Sequence, residues 1–147
     1  MVKQEAEIYD FMGVLSTPPA MFNYEMNILV VEDVLTTRLF IKKILKKLGF
    51  NNIFLLEDGD IALEEIKRQK FDLIISDWHM PNLDGIQLFK ALKKDRRWEN
   101  IPFLLLTAEK EKDKVIEAIR AGIAHYMVKP VQAEALEFKI KEACGIQ

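Results

Sequence analysis

The chain has little of what staples, anchors or addresses many small proteins. Its 147 residues contain one cysteine, Cys144, which excludes an intramolecular disulfide framework and suits a reducing compartment. Its two histidines, His79 and His125, are too few to make His79 read as a zinc ligand. No apolar run approaches ~18 residues, so no membrane-spanning helix is expected. The first residues are acidic where a secretory signal would be basic, which together with the lone thiol gives a cytoplasmic expectation. Charge of either sign is not in excess: 21 Lys and Arg face 23 Asp and Glu, for a net −2. Residues 1–26 carry Lys3 against Glu5, Glu7, Asp10 and Glu25, or −3, leaving the rest at +1. With no basic stripe, no helix-turn-helix and no zinc spacing, nucleic acid is not an expected partner. The six glycines form no Gly-rich Lys-Ser/Thr loop, which excludes a P-loop NTPase.

What is present is an alternation of short apolar runs with segments of helical period. The runs are Asn27–Val31, Ile53–Leu56, Leu73–Ser76, Phe103–Leu106 and His125–Val128. Between them, Phe40, Ile44 and Leu48 with Ile41 and Leu45 keep i, i+4 spacing up to Gly49. Ile61, Leu63 and Ile66 follow Asp58-Gly-Asp60, and Ile86, Leu88, Phe89 and Leu92 follow Pro81-Asn-Leu-Asp-Gly85. Val115, Ala118 and Ile119 run to Gly122, and a last helix spans roughly Ala133 to Ala143. Five βα units in succession predict an α/β fold, a doubly wound five-stranded parallel sheet of order 2-1-3-4-5 with right-handed crossovers. Residues 27–147 make this domain. Residues 1–26 stand apart, with Ile8, Phe11, Met12 and Leu15 on one face of a short helix broken by Pro18-Pro19. That extension reads either as a tail or as a segment docked on the domain or on a neighbouring copy.

The polar residues at the strand ends converge on one edge of such a sheet, where ligands bind. Asp77 emerges from a buried run and can act as a nucleophile toward phosphorus, or simply cap the next helix. The adjacent acids Glu32 and Asp33 concentrate negative charge that favours a cation. Magnesium takes one or two carboxylates and keeps several waters, so Asp33 and Asp77 suit direct ligation and Glu32 suits a water-mediated or orienting role. Asp33 as a helix N-cap is the plainer alternative. Lys129 precedes Pro130, which restricts the backbone and permits a cis bond, and its ammonium suits pairing with Asp77. Thr107 offers a hydroxyl to a phosphoryl group, or a cap to the following helix.

The ordered set Val30-Val-Glu32-Asp33, Ile75-Ser-Asp77-Trp78-His79-Met-Pro81, Leu106-Thr107-Ala-Glu109 and Tyr126-Met-Val-Lys129-Pro130 resembles response-regulator receiver domains, in particular the stand-alone chemotaxis regulators. The likeness covers Asn27 to Gln147 and implies a flavodoxin-like fold. It implies that Asp77 takes a phosphoryl group from the phosphohistidine of a histidine kinase, with Mg2+ held by Glu32, Asp33, Asp77 and the backbone carbonyl of His79. It also implies a switch in which Thr107 moves toward the phosphoryl group and Tyr126 turns inward. The face altered is that of the fourth helix, fifth strand and fifth helix. The expected output is altered protein binding, to a flagellar motor switch or another signalling protein, by a monomer or weak dimer that is no enzyme beyond its own phosphorylation and dephosphorylation.

Two departures stand out. His79 occupies a position that is often Asn in the chemotaxis relatives, and Glu32 replaces the first Asp of their usual pair. With Glu109, the His79 side chain flanks the path of hydrolytic water and would tune phosphoryl lifetime. A phosphorelay shuttle or phosphate sink is the alternative output. A haloacid-dehalogenase-type phosphatase fits less well, because it needs a second Asp two residues past the nucleophile, where this chain has His79. Only one helix's worth of chain follows Pro130, so no C-terminal effector domain is expected in it. Phe138 falls off the Leu136/Ile140 stripe of the last helix and is expected either at a binding face or under the N-terminal segment.

Overall fold

Successive residues of a strand face opposite sides of its sheet, so an unbroken apolar strand needs cover on both faces. The first strand, β1 (Asn27–Val31), behaves this way: Ile28 and Val30 enter one apolar cluster, Leu29 and Val31 another. The computed structural model describes residues 22–108 and 112–145. After β1 come α1 (Leu35–Leu48), β2 (Asn52–Leu56), α2 (Gly59–Arg68), β3 (Leu73–Asp77) and α3 (Gly85–Lys93). They are followed by β4 (Phe103–Thr107), α4 (Lys112–Ala121), β5 (Tyr126–Val128) and α5 (Ala133–Ala143). All pairings are parallel and the order is β2-β1-β3-β4-β5, as the periodicity predicts.

One face of the sheet is covered by α1 and α5, through Ile41, Ile44, Leu45, Leu136 and Ile140. The other is covered by α2, α3 and α4, through Ala62, Ile66, Leu88, Phe89 and Ala118. Strand β2 is half-buried along its length, as suits an edge. The helix faces differ in detail from the expected stripes. Phe40, Ile61 and Ile119 are exposed, and the buried positions are their neighbours Ile41, Ala62 and Ala118.

Helix ends are closed by local chemistry. Gly49 adopts φ 108°, and the N–H groups of Gly49 and Phe50 reach back to the carbonyls of Lys46 and Leu45. Asp84 and Gln87 form a reciprocal capping box on α3. Gly85 lies so close to the end of β3 that a Cβ there would overlap the Asp77 carbonyl oxygen. Its smallness therefore sets how near α3 comes to the C-terminal end of β3.

Residues 22–26 pack on the opposite edge. Phe22, Tyr24 and Phe50 form a ring cluster with centroids 5.0–5.5 Å apart, and the Lys141 ammonium lies over Phe22. Met26 is buried, and the Asn52 side chain donates to the Glu25 carbonyl at 2.6 Å. The short helix expected around Ile8, Phe11, Met12 and Leu15 lies outside the described residues, as does Glu109.

Candidate functional site

The sheet order places β1 and β3 side by side, with Val31 paired to Ser76, so the residues that follow each strand share one cleft. Glu32 and Asp33 enter it from β1 and Asp77 from β3. Thr107 ends β4, and its carbonyl accepts from the Lys129 N–H at 2.8 Å, which brings the lysine alongside. One oxygen from each of Glu32, Asp33 and Asp77 lies within 4.8 Å of the others. The Lys129 ammonium donates to Glu32 Oε1 at 2.8 Å and pairs with Asp77 Oδ1 at 3.0 Å. The Lys129–Pro130 peptide bond is cis.

The acids play different parts. Glu32 is fully buried, and its second oxygen accepts from the Val34 N–H at 3.0 Å. The Glu32 carbonyl accepts from Arg38 Nη1 at 2.6 Å. Asp33 is exposed, whereas Asp77 and Thr107 are buried. Burial raises the Glu32 carboxyl above the ordinary glutamate range, and the Asp77 charge adds to the rise against the pull of Lys129 and Val34. Burial alone would lower the Lys129 ammonium, but its bonds to Glu32 and Asp77 outweigh it and hold the group above the ordinary lysine value. One cation thus serves two buried acids. Three carboxylate side chains share a single side-chain ammonium partner, which leaves the cleft acidic and rich in oxygen donors, as suits a divalent cation with oxygen preference.

The plainer readings of Asp33 and Asp77 do not match the geometry. Helix α1 is capped from Val34, not Asp33. Helix α3 is capped by Asp84, not Asp77. His79 is exposed and stacks on buried Trp78, with ring planes 18° apart. Tyr126 is half-buried against the cluster under α3 and α4. A pocket of about 400 Å³ opens beside the site between α1 and the end of β5, lined by Thr36, Phe40, Lys129, Pro130 and Val131 among others.

Two contributors are not evident from sequence. Arg38 reads as one more charge on an amphipathic helix. Asp58 reads as a turn residue, yet it is buried and accepts three hydrogen bonds from the loop after β3. The only sequence signal for Asp58 is its place directly before a glycine at a strand-to-helix turn.

Comparison with known proteins agrees with this arrangement. The family described as response regulator receiver domain matches residues 28–141. The chain is 40% identical over 121 residues to the chemotaxis protein CheY-3 of Vibrio cholerae, covering 82% of this chain and 93% of that one. It is 42% identical over 117 residues to the chemotaxis protein CheY of Pseudomonas aeruginosa, covering 80% and 94%. Among solved structures, Vibrio cholerae CheY4 superposes with a TM-score of 0.74 at 28% identity, covering 81% of this chain and 98% of that one. The receiver domain of a sensor histidine kinase from Pseudomonas aeruginosa, solved with magnesium coordinated in its active-site cleft, gives 0.75 at 27% identity, covering 82% and 98%. The chain belongs to the response-regulator receiver family, with CheY-type chemotaxis proteins among its relatives.

Proposed function

We propose that the protein is a stand-alone, cytoplasmic receiver in which Asp77 accepts a phosphoryl group from a histidine kinase and thereby changes what the protein binds. The observation that carries this reading is the Lys129 ammonium held between Glu32 and Asp77 at the convergent strand ends. An Asp77 carboxylate oxygen attacks phosphorus, and the P–N bond to the donor imidazole breaks. The bonding electrons return to the imidazole nitrogen, and Asp77 becomes an acyl phosphate. Lys129 offers its ammonium to a phosphoryl oxygen as charge develops.

Asp33, Asp77 and the His79 carbonyl are the groups to hold Mg2+, with Glu32 acting through water because Lys129 and Val34 already engage its oxygens. When bound, Mg2+ neutralises the charge of acid and phosphoryl group alike. Thr107 then supplies a hydroxyl to the new phosphoryl group, and Tyr126 turns toward the space left behind. The output face is α4–β5–α5, where Ile116, Ile119, Val128 and Phe138 are exposed. Phosphorylation shifts the population of that face rather than building a new fold. The target is a signalling protein of the flagellar-motor type. His79 and Glu109 set how long the phosphoryl group lasts.

Acetyl phosphate and magnesium, read by intact mass, test the reading. One phosphoryl adduct is expected on the wild type, labile to hydroxylamine and missing from Asp77→Asn. A persistent adduct in Asp77→Asn, or none in the wild type, overturns it.

A further inference from the structure

Asp58 spends a buried carboxylate in an unusual way. It stands at the N-cap position of α2 with extended backbone, yet its side chain makes no bond to its own helix. It reaches instead across to the loop between β3 and α3. Oδ2 accepts from the Asn82 side chain at 2.7 Å and from the Asn82 N–H at 3.3 Å, and Oδ1 accepts from the Leu83 N–H at 3.2 Å. The next residue completes the contact. A Cβ on Gly59 would overlap the Leu83 carbonyl oxygen, so the loop rests directly on the backbone at the start of α2. Asp58 is 4% exposed, so leaving these donors without it is costly.

The far side of the same loop is tied just as tightly. The Trp78 N–H donates to the Leu106 carbonyl and the Gly85 N–H to the Trp78 carbonyl, at 3.0 and 2.8 Å. Between these bonds and the Asp58 contact lie His79, Met80 and Pro81, which include the carbonyl expected to face the cation. The loop is therefore pinned at both ends, and Asp58 with Gly59 makes the pin on the side away from the sheet.

We infer that Asp58 is a positioning residue: through Asn82 and Leu83 it fixes the β3–α3 loop, and so sets the presentation of the His79 carbonyl to Mg2+. This rests on the reading of the cleft as a magnesium site. It needs no contact between Asp58 and the ion. An aspartate is required because all three partners are donors. Asparagine would turn an N–H2 toward one of them.

The test uses the full chain. Magnesium is titrated into wild type, Asp58→Asn and Asp72→Asn by tryptophan fluorescence, with amide hydrogen exchange at Asn82 and Leu83 measured without metal. Asp72 is the control, since it accepts the Asn27 N–H at 2.8 Å on the opposite edge of the sheet. Asp58→Asn is expected to raise the magnesium midpoint about five- to tenfold and to speed exchange at both amides. Adduct formation from acetyl phosphate recovers to within twofold at saturating Mg2+. Asp72→Asn leaves the midpoint unchanged at a similar loss of thermal stability. A midpoint in Asp58→Asn equal to wild type overturns the inference while the magnesium site stands. A wild type that binds no magnesium overturns the site reading, and this inference with it. If Asp58→Asn does not fold, Asn82→Ala removes one donor at an exposed position, and a two- to threefold rise is expected; no rise overturns the inference.

Discussion

Lys129→Met removes a charge and keeps most of the side-chain volume, so it isolates the electrostatics of the cleft. Without metal, Glu32 and Asp77 lose an ammonium at 2.8 and 3.0 Å and face each other across the buried end of the sheet. Truncating one member of a buried ion pair costs ~3–5 kcal/mol. Two unit charges at the 4.8 Å spacing limit of the acid cluster repel by about 3.5 kcal/mol at an effective dielectric near 20. Solvent reaches this cleft, since the Lys129 side chain is 20% exposed, and that screening brings the expected loss to about 2–3 kcal/mol. Magnesium affinity should move the other way. The ammonium and the ion compete for the same oxygens, so the variant should bind Mg2+ at least tenfold more tightly, about 1.4 kcal/mol. By linkage, saturating Mg2+ then closes about half of the stability gap or more. The pH response carries a sign as well. With Lys129 gone its pull no longer opposes the burial that raises the Glu32 carboxyl, so Glu32 binds a proton more readily folded than unfolded and the variant gains stability as pH falls from 7 toward 5. Urea melts with and without Mg2+ at both pH values, paired with a magnesium titration, check all three outcomes. A variant as stable as wild type without metal, with an unchanged magnesium midpoint, would refute the picture of one cation serving two buried acids.

Other perturbations test separate parts of the structure. Gly85→Ala drives a methyl into the Asp77 carbonyl and the Leu105 side chain, and should lower urea stability by about 2–4 kcal/mol. In wild type, the folded-state pKa of Lys129 lies above its unfolded value. The stability it contributes is therefore complete below the ordinary lysine pKa and lost as pH rises through the raised one, which an alkaline series of melts on wild type and Lys129→Met will show. Burial pushes the Cys144 thiol up to about 11, so its alkylation at pH 8 should run about 100-fold slower than that of a free thiol. Phe22→Ala removes two edge-on ring contacts and should cost about 1–3 kcal/mol without altering magnesium binding.

Sheet order and strand-end residues were legible because they depend on period and position. A buried parallel strand is mostly apolar, so the polar residues gathered at its C-terminal end mark the edge. That pattern points to Glu32, Asp77, Thr107 and Lys129 from sequence alone. Side-chain choices made in three dimensions were less legible. Phe40 has the spacing of a core residue, but Ile41 and Ile44 fill the space under α1 and leave it at the rim of the pocket beside Lys129. Asp58 and Asn82 meet across 24 residues of sequence, and nothing local to either announces the other. Arg38 was hidden for the same reason, its guanidinium turning back to a carbonyl six residues earlier.

The ring cluster of Phe22, Tyr24 and Phe50 has a practical consequence. It fixes where the polypeptide enters the domain, at the N-terminal edge of the sheet, while the acidic cleft lies at the other edge. Five residues of strand separate the two by about 16 Å. A fluorophore, affinity handle or surface linkage joined directly at Phe22 therefore attaches at the edge remote from Asp77. Immobilised in that orientation, the protein presents its cleft to a donor in solution, so the proposed phosphotransfer to Asp77 can be followed on a surface without the support obstructing the cleft.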